Sequence, residues 1–401
     1  MTQHIIIGNG IAANTAAETI RKSDAQSAIT MFTKEKVPFY YTPALPEFLS
    51  GDKDLNGITL HKEQWYNNNG IELHLNTEIQ AVDPPKKSVL TKNGKTFHYD
   101  RLLLAAGGYS FIPPIKGSNN AGVFGLRTFS DAEKIRTKAA VSKDLVLIGG
   151  GLLGLEAGNG LRKAGLRVTV IEFFPRLLPR QMDAAGAAIL QKQMESMGFS
   201  FRLGAKTQEI IQQNGRLCVC LEGGEKLETD MVLISAGVRP ELGLAKAAGL
   251  PIDKAVKVDD HMKTDIEDIY AAGDVIEHRG MFYGIWPAAM EQGRIAGIAM
   301  TGGSETYGGT VPANTLKVVG ISLTAAGDID ADGKHASIVV ADEKKAIYRK
   351  LVTADNSIIG AILFGDITGS AEIMNAIKTK KDIAPFKGNL TKPGFDFSKL
   401  A

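Results

Sequence analysis

Short unbroken apolar runs punctuate the chain, and several stop at glycine. Gln3 to Ile7 ends at Gly8, Leu102 to Ala106 ends at Gly107, and Met231 to Ala236 ends at Gly237. Runs of this length suit strands of a parallel sheet whose two faces are both covered. Alanine-rich stretches with helical patterning, Ala12 to Lys22 and Leu153 to Ala164, follow glycine turns. The order strand, glycine turn, helix, strand occurs twice. Gln3–Ile7, Gly8-Asn9-Gly10, Ala12–Lys22 and Ser27–Phe32 form the first unit. Asp144–Ile148, Gly149-Gly150-Gly151, Leu153–Ala164 and Arg167–Ile171 form the second. An internal repeat of this kind predicts two nucleotide folds in one chain.

Between these units, Leu217 to Leu221 has the character of an antiparallel excursion. After Gly302-Gly303 the pattern changes to strands at Ala336–Val340, Ala346–Val352 and Ile358–Phe364, then a helix at Ser370–Thr379. The expected fold is α/β, with two doubly wound three-layer dinucleotide-binding domains followed by a smaller α+β C-terminal domain. Proline and glycine near Ser110–Gly117 and Val238–Pro240 predict boundaries there. The expected division is 1–112, 113–238, 239–308 and 309–401. Residues 385–401 show no firm periodicity and are expected to form an arm or loose tail.

Composition narrows the picture. At 401 residues the chain exceeds one ordinary core, and its 44 glycines are well above the usual share of ~7%. A formal net charge of +2 gives no reason to invoke nucleic acid or an anionic membrane. The only cysteines, Cys218 and Cys220, exclude a disulfide framework and favour a reducing compartment. No apolar run approaches the ~20 residues that span a bilayer, and the first strand leaves no room for a signal peptide. A cytoplasmic location is expected.

The glycine turns carry the chemistry. Gly8-x-Gly10-x-x-Ala13 and Gly149-x-Gly151-x-x-Gly154 each follow a strand and open a helix. The first glycine permits the turn, the second admits a pyrophosphate, and the third small residue lets helix pack on sheet. One such turn is weak support, because glycines between strand and helix are common; two in register are strong. Glu172 ends the next strand of the second unit, where an acid accepts ribose hydroxyls and repels a 2′-phosphate, favouring NADH over NADPH. The first unit offers Thr33, Lys34 and Glu35 at the matching place.

With Glu156, Ile234–Gly237 and Asp268-Ile269-Tyr270-Ala271-Ala272-Gly273-Asp274 added, nearly the whole chain resembles the FAD-dependent pyridine nucleotide–disulfide reductases. Within them it is most similar to the NADH:rubredoxin reductase and nitrite-reductase-like branch, through Pro38–Leu45 and through Leu316–Ile321 with Gly327-Asp328. The resemblance implies that FAD binds in 1–112 and 239–308 and NADH in 113–238. It implies that Asp274 bonds the ribityl chain and that Gly273 lets the flavin lie close. Ala106, Gly107, Arg127 and Ala289 match further FAD positions, and Gly237 a position on the nicotinamide nucleotide side. Glu156 matches a glutamate beside the nicotinamide pocket, and Trp286 is expected at the flavin edge; these two are the candidate catalytic residues. Thr42 stands where the branch commonly carries a lysine or arginine.

Disulfide reductases of this architecture need a cysteine pair at the flavin, yet the first 217 residues hold none. Cys218 and Cys220 sit two apart on one strand face, which fits neither a redox pair nor a zinc site. Electrons are therefore expected to leave the flavin directly for a small carrier protein, rubredoxin or ferredoxin. Six lysines (378, 380, 381, 387, 392 and 399) are expected to steer an acidic carrier or to form a solvated face. An NADH oxidase yielding peroxide and a nucleotide-binding redox sensor are the alternatives. The resemblance admits a homodimer as well as a monomer.

Overall fold

The structure is a computed structural model and describes residues 1–310, 313–390, 392 and 394–400. Val311, Pro312, Thr391, Pro393 and Ala401, which fall within the expected C-terminal domain and tail, lie outside the described residues.

Each predicted repeat unit forms a five-stranded parallel sheet. In the first the spatial order is Ile269–Ala271, Arg101–Leu104, Gln3–Ile7, Ala28–Phe32 and Ile71–His74. In the second it is Ser200–Leu203, Arg167–Glu172, Asp144–Ile148, Met231–Ile234 and Val123–Gly125. The strand before each glycine turn is central, and the chain order reverses across it. Each turn therefore opens at a topological switch point, where such sheets bind ligands. The central strands are apolar at nearly every position because both faces are covered, one by helices and the other by a three-stranded antiparallel sheet. That sheet is Ile79–Asp83, Ser88–Thr91 and Thr96–His98 in the first domain, and Thr207–Gln213, Arg216–Leu221 and Lys226–Thr229 in the second. Two linker strands, Gly108–Ser110 and Val238–Pro240, pair antiparallel and carry the chain from one unit to the other and back.

The helices Ile11–Ser23 and Trp286–Met300 cross at very close range. A Cβ at Gly293 would lie 2.2 Å from the Ala12 carbonyl oxygen, and one at Gly297 would lie 2.8 Å from that of Ala16. Glycine four residues apart is what lets the later helix rest on the one that begins at the first glycine turn.

The third unit is a five-stranded antiparallel sheet. Its order is Ala313–Val318, Ile321–Gly327, Ser357–Phe364, Ile347–Ala354 and Ala336–Asp342, and helix Ser370–Thr379 packs on it. The expected loose tail is corrected. Ile383, Leu390 and Leu400 are buried with that helix, and Phe397 presses on Gly369 and lies under Arg349. Apolar residues spaced irregularly along turns leave no periodic signal, yet they close this core. The unit docks on the second domain through Lys350, whose Nζ lies 3.1 Å from Asp183 and accompanies a 2.7 Å hydrogen bond donated by the Tyr348 hydroxyl to the same carboxylate. Among the described residues no helix is long and apolar enough to cross a membrane.

Candidate functional site

The two glycine turns have the same construction. Gly8 has φ +126°, and a Cβ there would lie 2.1 Å from the Ala105 carbonyl oxygen. Gly149 has φ +117°, with the corresponding clash at 2.2 Å from Ser235. At both places the end of a neighbouring strand passes too close for any side chain. By contrast, a Cβ on Gly10 or Gly151 would meet nothing within 4 Å. Those faces are open to a ligand. Ala13 is fully buried, and a Cβ on Gly154 would sit 2.7 Å from the Gly149 carbonyl, so the third position is held small by packing.

The helices that follow start without a side-chain cap. Phe129–Ala139 and Ala184–Ser196, of similar length, are capped by Thr128 and Asp183. The uncapped first-turn N–H groups and the open faces of Gly10 and Gly151 fit a pyrophosphate at each turn.

Glu172 is buried at the second turn. Gly150 N–H donates to its Oε2 at 2.6 Å and Phe174 N–H donates to Oε1 at 2.8 Å. A carboxylate retains lone pairs after two such bonds, so it can still accept from a ribose. Gly237, at φ +107°, begins the return linker, and its carbonyl accepts from Phe111 N–H.

At the first turn Thr33 is buried, and its hydroxyl accepts from Glu35 N–H at 3.2 Å. Glu35 is turned to the domain joint: Tyr40 O–H donates to its carboxylate at 2.9 Å and Phe129 N–H reaches it at 3.3 Å. Burial pushes the Glu35 carboxyl above its ordinary pKa. Lys34 is exposed beside a depression of about 350 Å³ that Asn76, Thr77 and Lys92 also line.

Residues far apart in sequence meet at the other end of this cradle. Arg127 donates from Nη2 to Asp274 Oδ2 at 2.6 Å and from Nε to the Gly108 carbonyl at 3.1 Å. Gly273, at φ +86°, lies against Ala12 and Ala289: a Cβ there would be 3.2 Å and 3.8 Å from theirs. Ala106 and Gly107 follow the adjacent strand Arg101–Leu104, and the Gly107 carbonyl accepts from Glu241 N–H. Gln292 is a functional residue outside the sequence-derived candidates. It is buried, and its Oε1 accepts the Gly273 N–H at 2.9 Å, so it pins the turn that presents Asp274. A lone glutamine in an otherwise apolar helix face was its one sequence signal.

Trp286 opens helix Trp286–Met300, stacked on Phe39 at 5.9 Å and edge-on to Tyr41 at 5.0 Å. Thr42 starts the short turn Thr42–Ala44 directly after that tyrosine. Glu156 is half-buried, and its carboxylate accepts the Val319 N–H from the tip of the first hairpin of the C-terminal sheet. Burial raises its pKa above the ordinary value, and the Val319 bond works against that rise. Cys218 and Cys220 are buried in the antiparallel strand Arg216–Leu221 of the second domain.

Two pyrophosphate cradles, each at the switch point of its own parallel sheet, define a protein built to hold two dinucleotides at once. The chain belongs to the pyridine nucleotide-disulphide oxidoreductase family, whose profile matches residues 2–293; residues 312–381 match the rubredoxin NAD+ reductase C-terminal domain. It is 36% identical over 386 residues to a nitrite reductase [NAD(P)H] of Bacillus subtilis, covering 95% of this chain and 48% of that protein. It is 37% identical to a rubredoxin-NAD(+) reductase of Pseudomonas putida, covering 70% of this chain and 73% of that one. The crystal structure of NADH:rubredoxin oxidoreductase from Clostridium acetobutylicum superposes with a TM-score of 0.82 at 28% identity, covering 97% of each chain. The chain spans about half the length of the nitrite reductase relative it matches.

Proposed function

We propose that this chain is an FAD-dependent NADH oxidoreductase that passes electrons to a small one-electron carrier protein, such as rubredoxin or a ferredoxin, without a redox-active disulfide. The observation that carries this reading is the pairing of two dinucleotide cradles with cysteines found only at 218 and 220, buried in one strand. The likeness to the NADH:rubredoxin oxidoreductase of Clostridium acetobutylicum over 97% of each chain supports the choice of carrier.

On this reading residues 1–112 and 239–308 hold FAD, through Gly8, Gly10, Ala13, Thr33, Lys34, Glu35, Thr42, Ala106, Gly107, Arg127, Gly273, Asp274 and Ala289. Residues 113–238 hold NADH through Gly149, Gly151, Gly154, Glu172 and Gly237, and 309–401 is the C-terminal unit. FAD when bound supplies two-electron acceptance and one-electron release. The protein's part is positioning and exclusion of water. Arg127 fixes the Asp274 carboxylate for the ribityl hydroxyls, Trp286, packed against Phe39 and Tyr41, stands at the flavin edge, and Glu156 offers an acceptor on the nicotinamide side. The free thiols agree with a cytoplasmic location.

Anaerobic stopped-flow mixing tests the reading. Excess NADH is expected to bleach the flavin absorbance band, and added rubredoxin or ferredoxin to restore it as the carrier is reduced. A flavin band untouched by NADH overturns the assignment.

A further inference from the structure

The two turns are built alike but are gripped differently. The second turn is held at the Gly150 N–H by Glu172. The first unit has Thr33 at the paired position, since Phe32 and Ile171 are aligned by the strand registers, and Thr33 spends its hydroxyl on Glu35 N–H. Backbone bonds common to both units fix the ends of the turns, Gly8 N–H to Phe32 and Gly149 N–H to Ile171, and leave the Asn9 corner of the first without a carboxylate clamp. Asn14, one turn into the helix, holds that corner, where the second unit has the apolar Leu155.

Asn14 is almost wholly buried. Its Nδ2 donates toward the Asn9 carbonyl at 3.0 Å, the Asn9 Oδ1 at 2.9 Å and the Gly10 carbonyl at 3.0 Å. Its Oδ1 accepts from Tyr66 O–H at 2.8 Å and faces His61 Nδ1 at 3.2 Å. An amide oxygen only accepts, so His61 Nδ1 must carry its hydrogen. The Tyr66 hydroxyl also lies 2.9 Å from Asn9 Oδ1, and the His61 ring is stacked on Trp65 at 3.7 Å. The grip on the Asn9 carbonyl has a geometric consequence. A trans peptide points its C=O and the following N–H in opposite directions. The Gly10 carbonyl also accepts the Asn14 backbone N–H at 3.0 Å, as Gly151 accepts that of Leu155, so what the side chain adds is the hold on Asn9. Keeping the Asn9 carbonyl inward aims the Gly10 N–H outward, at the open face of the turn.

We propose that Asn14, braced by Tyr66 and His61, is a positioning residue that orients the Gly10 N–H of the first turn for the FAD pyrophosphate. The inference rests on the reading that this cradle holds FAD.

The test is FAD affinity, measured by flavin fluorescence on the reconstituted full chain. Asn14→Ala is expected to weaken FAD binding at least about tenfold, the size expected for several lost buried hydrogen bonds. Asn14→Asp, nearly the same volume, is expected to be worse than Asn14→Ala, because a carboxylate cannot donate and repels both carbonyls and phosphate. A residue that merely filled space would give the opposite order. Tyr66→Phe, the mildest change, is expected to weaken FAD a few-fold and keeps the question answerable if an Asn14 variant fails to fold. The 31P resonances of FAD still bound to the variants are expected to shift, while NADH affinity stays unchanged. A native chain that takes up no FAD overturns the functional reading and this inference with it. Native uptake with all three variants within twofold overturns this inference alone.

Discussion

Glu172 accepts two backbone hydrogen bonds at the second turn and is buried, so its part in choosing a nucleotide is inseparable from its part in shaping the loop. Replacing it with alanine removes the acceptor for ribose hydroxyls, the repulsion of a 2′-phosphate, and the clamp on Gly150. Glu172→Ala is expected to lower kcat/KM for NADH by roughly 10- to 100-fold, the effect of losing one or two charged buried hydrogen bonds. The loss for NADPH should be smaller, so the ratio of the two kcat/KM values should fall toward one. Steady-state kinetics with both nucleotides reads this directly, and an unchanged ratio would exclude Glu172 from nucleotide choice.

At the scale of elements, the crossing of Ile11–Ser23 and Trp286–Met300 joins two parts of the chain that each contribute to the first cradle. The later helix carries Ala289 and Gln292, and the earlier one begins at the phosphate turn. With the Ala12 carbonyl 2.2 Å from where a Gly293 Cβ would stand, Gly293→Ala forces the helices apart. Overpacking of this kind typically costs about 1–3 kcal/mol. The expected result is a lower thermal midpoint together with faster flavin loss, seen by following melting and flavin fluorescence in one scan. Flavin retained at the native midpoint would show that the crossing tolerates displacement.

At the scale of the whole molecule, the C-terminal unit is fastened to the second domain by a nearly buried lysine. Lys350 lies between Asp183 and the Asp330 carbonyl, and removing one partner of such a pair leaves the other charge stranded. Lys350→Met is expected to cost about 3 kcal/mol, read as an earlier C-terminal unfolding step in denaturant. Burial alone would raise the Asp183 carboxyl, but the Gly186 N–H, the Tyr348 hydroxyl and Lys350 outweigh it and hold its pKa below the ordinary value. For a lowered carboxyl the stabilisation is present above the unfolded value and is lost as pH falls through the folded one. Docking is therefore expected to persist at neutral pH and to weaken only in strong acid, below the ordinary aspartate range. Limited proteolysis across an acid series would follow it, and release at pH 6 would contradict the assignment.

The features legible from sequence are those that depend on near neighbours. Apolar runs marked the parallel strands, and the spacing of Gly8, Gly10 and Ala13, and of Gly149, Gly151 and Gly154, marked both turns. Helix Ser370–Thr379 fell where its pattern placed it. Backbone conformation and alternation of polarity are local, so they are written locally. Contacts between distant segments were not readable in this way. Asn14 meets Tyr66 across 52 residues, Gly273 meets Gln292 across 19, and Arg127 meets Asp274 across 147. Only the folded chain brings these polar groups out of water together, where each must find a partner. The irregular tail closed its core for the same reason: burial is decided by what lies opposite, and no single stretch of sequence contains its own opposite face.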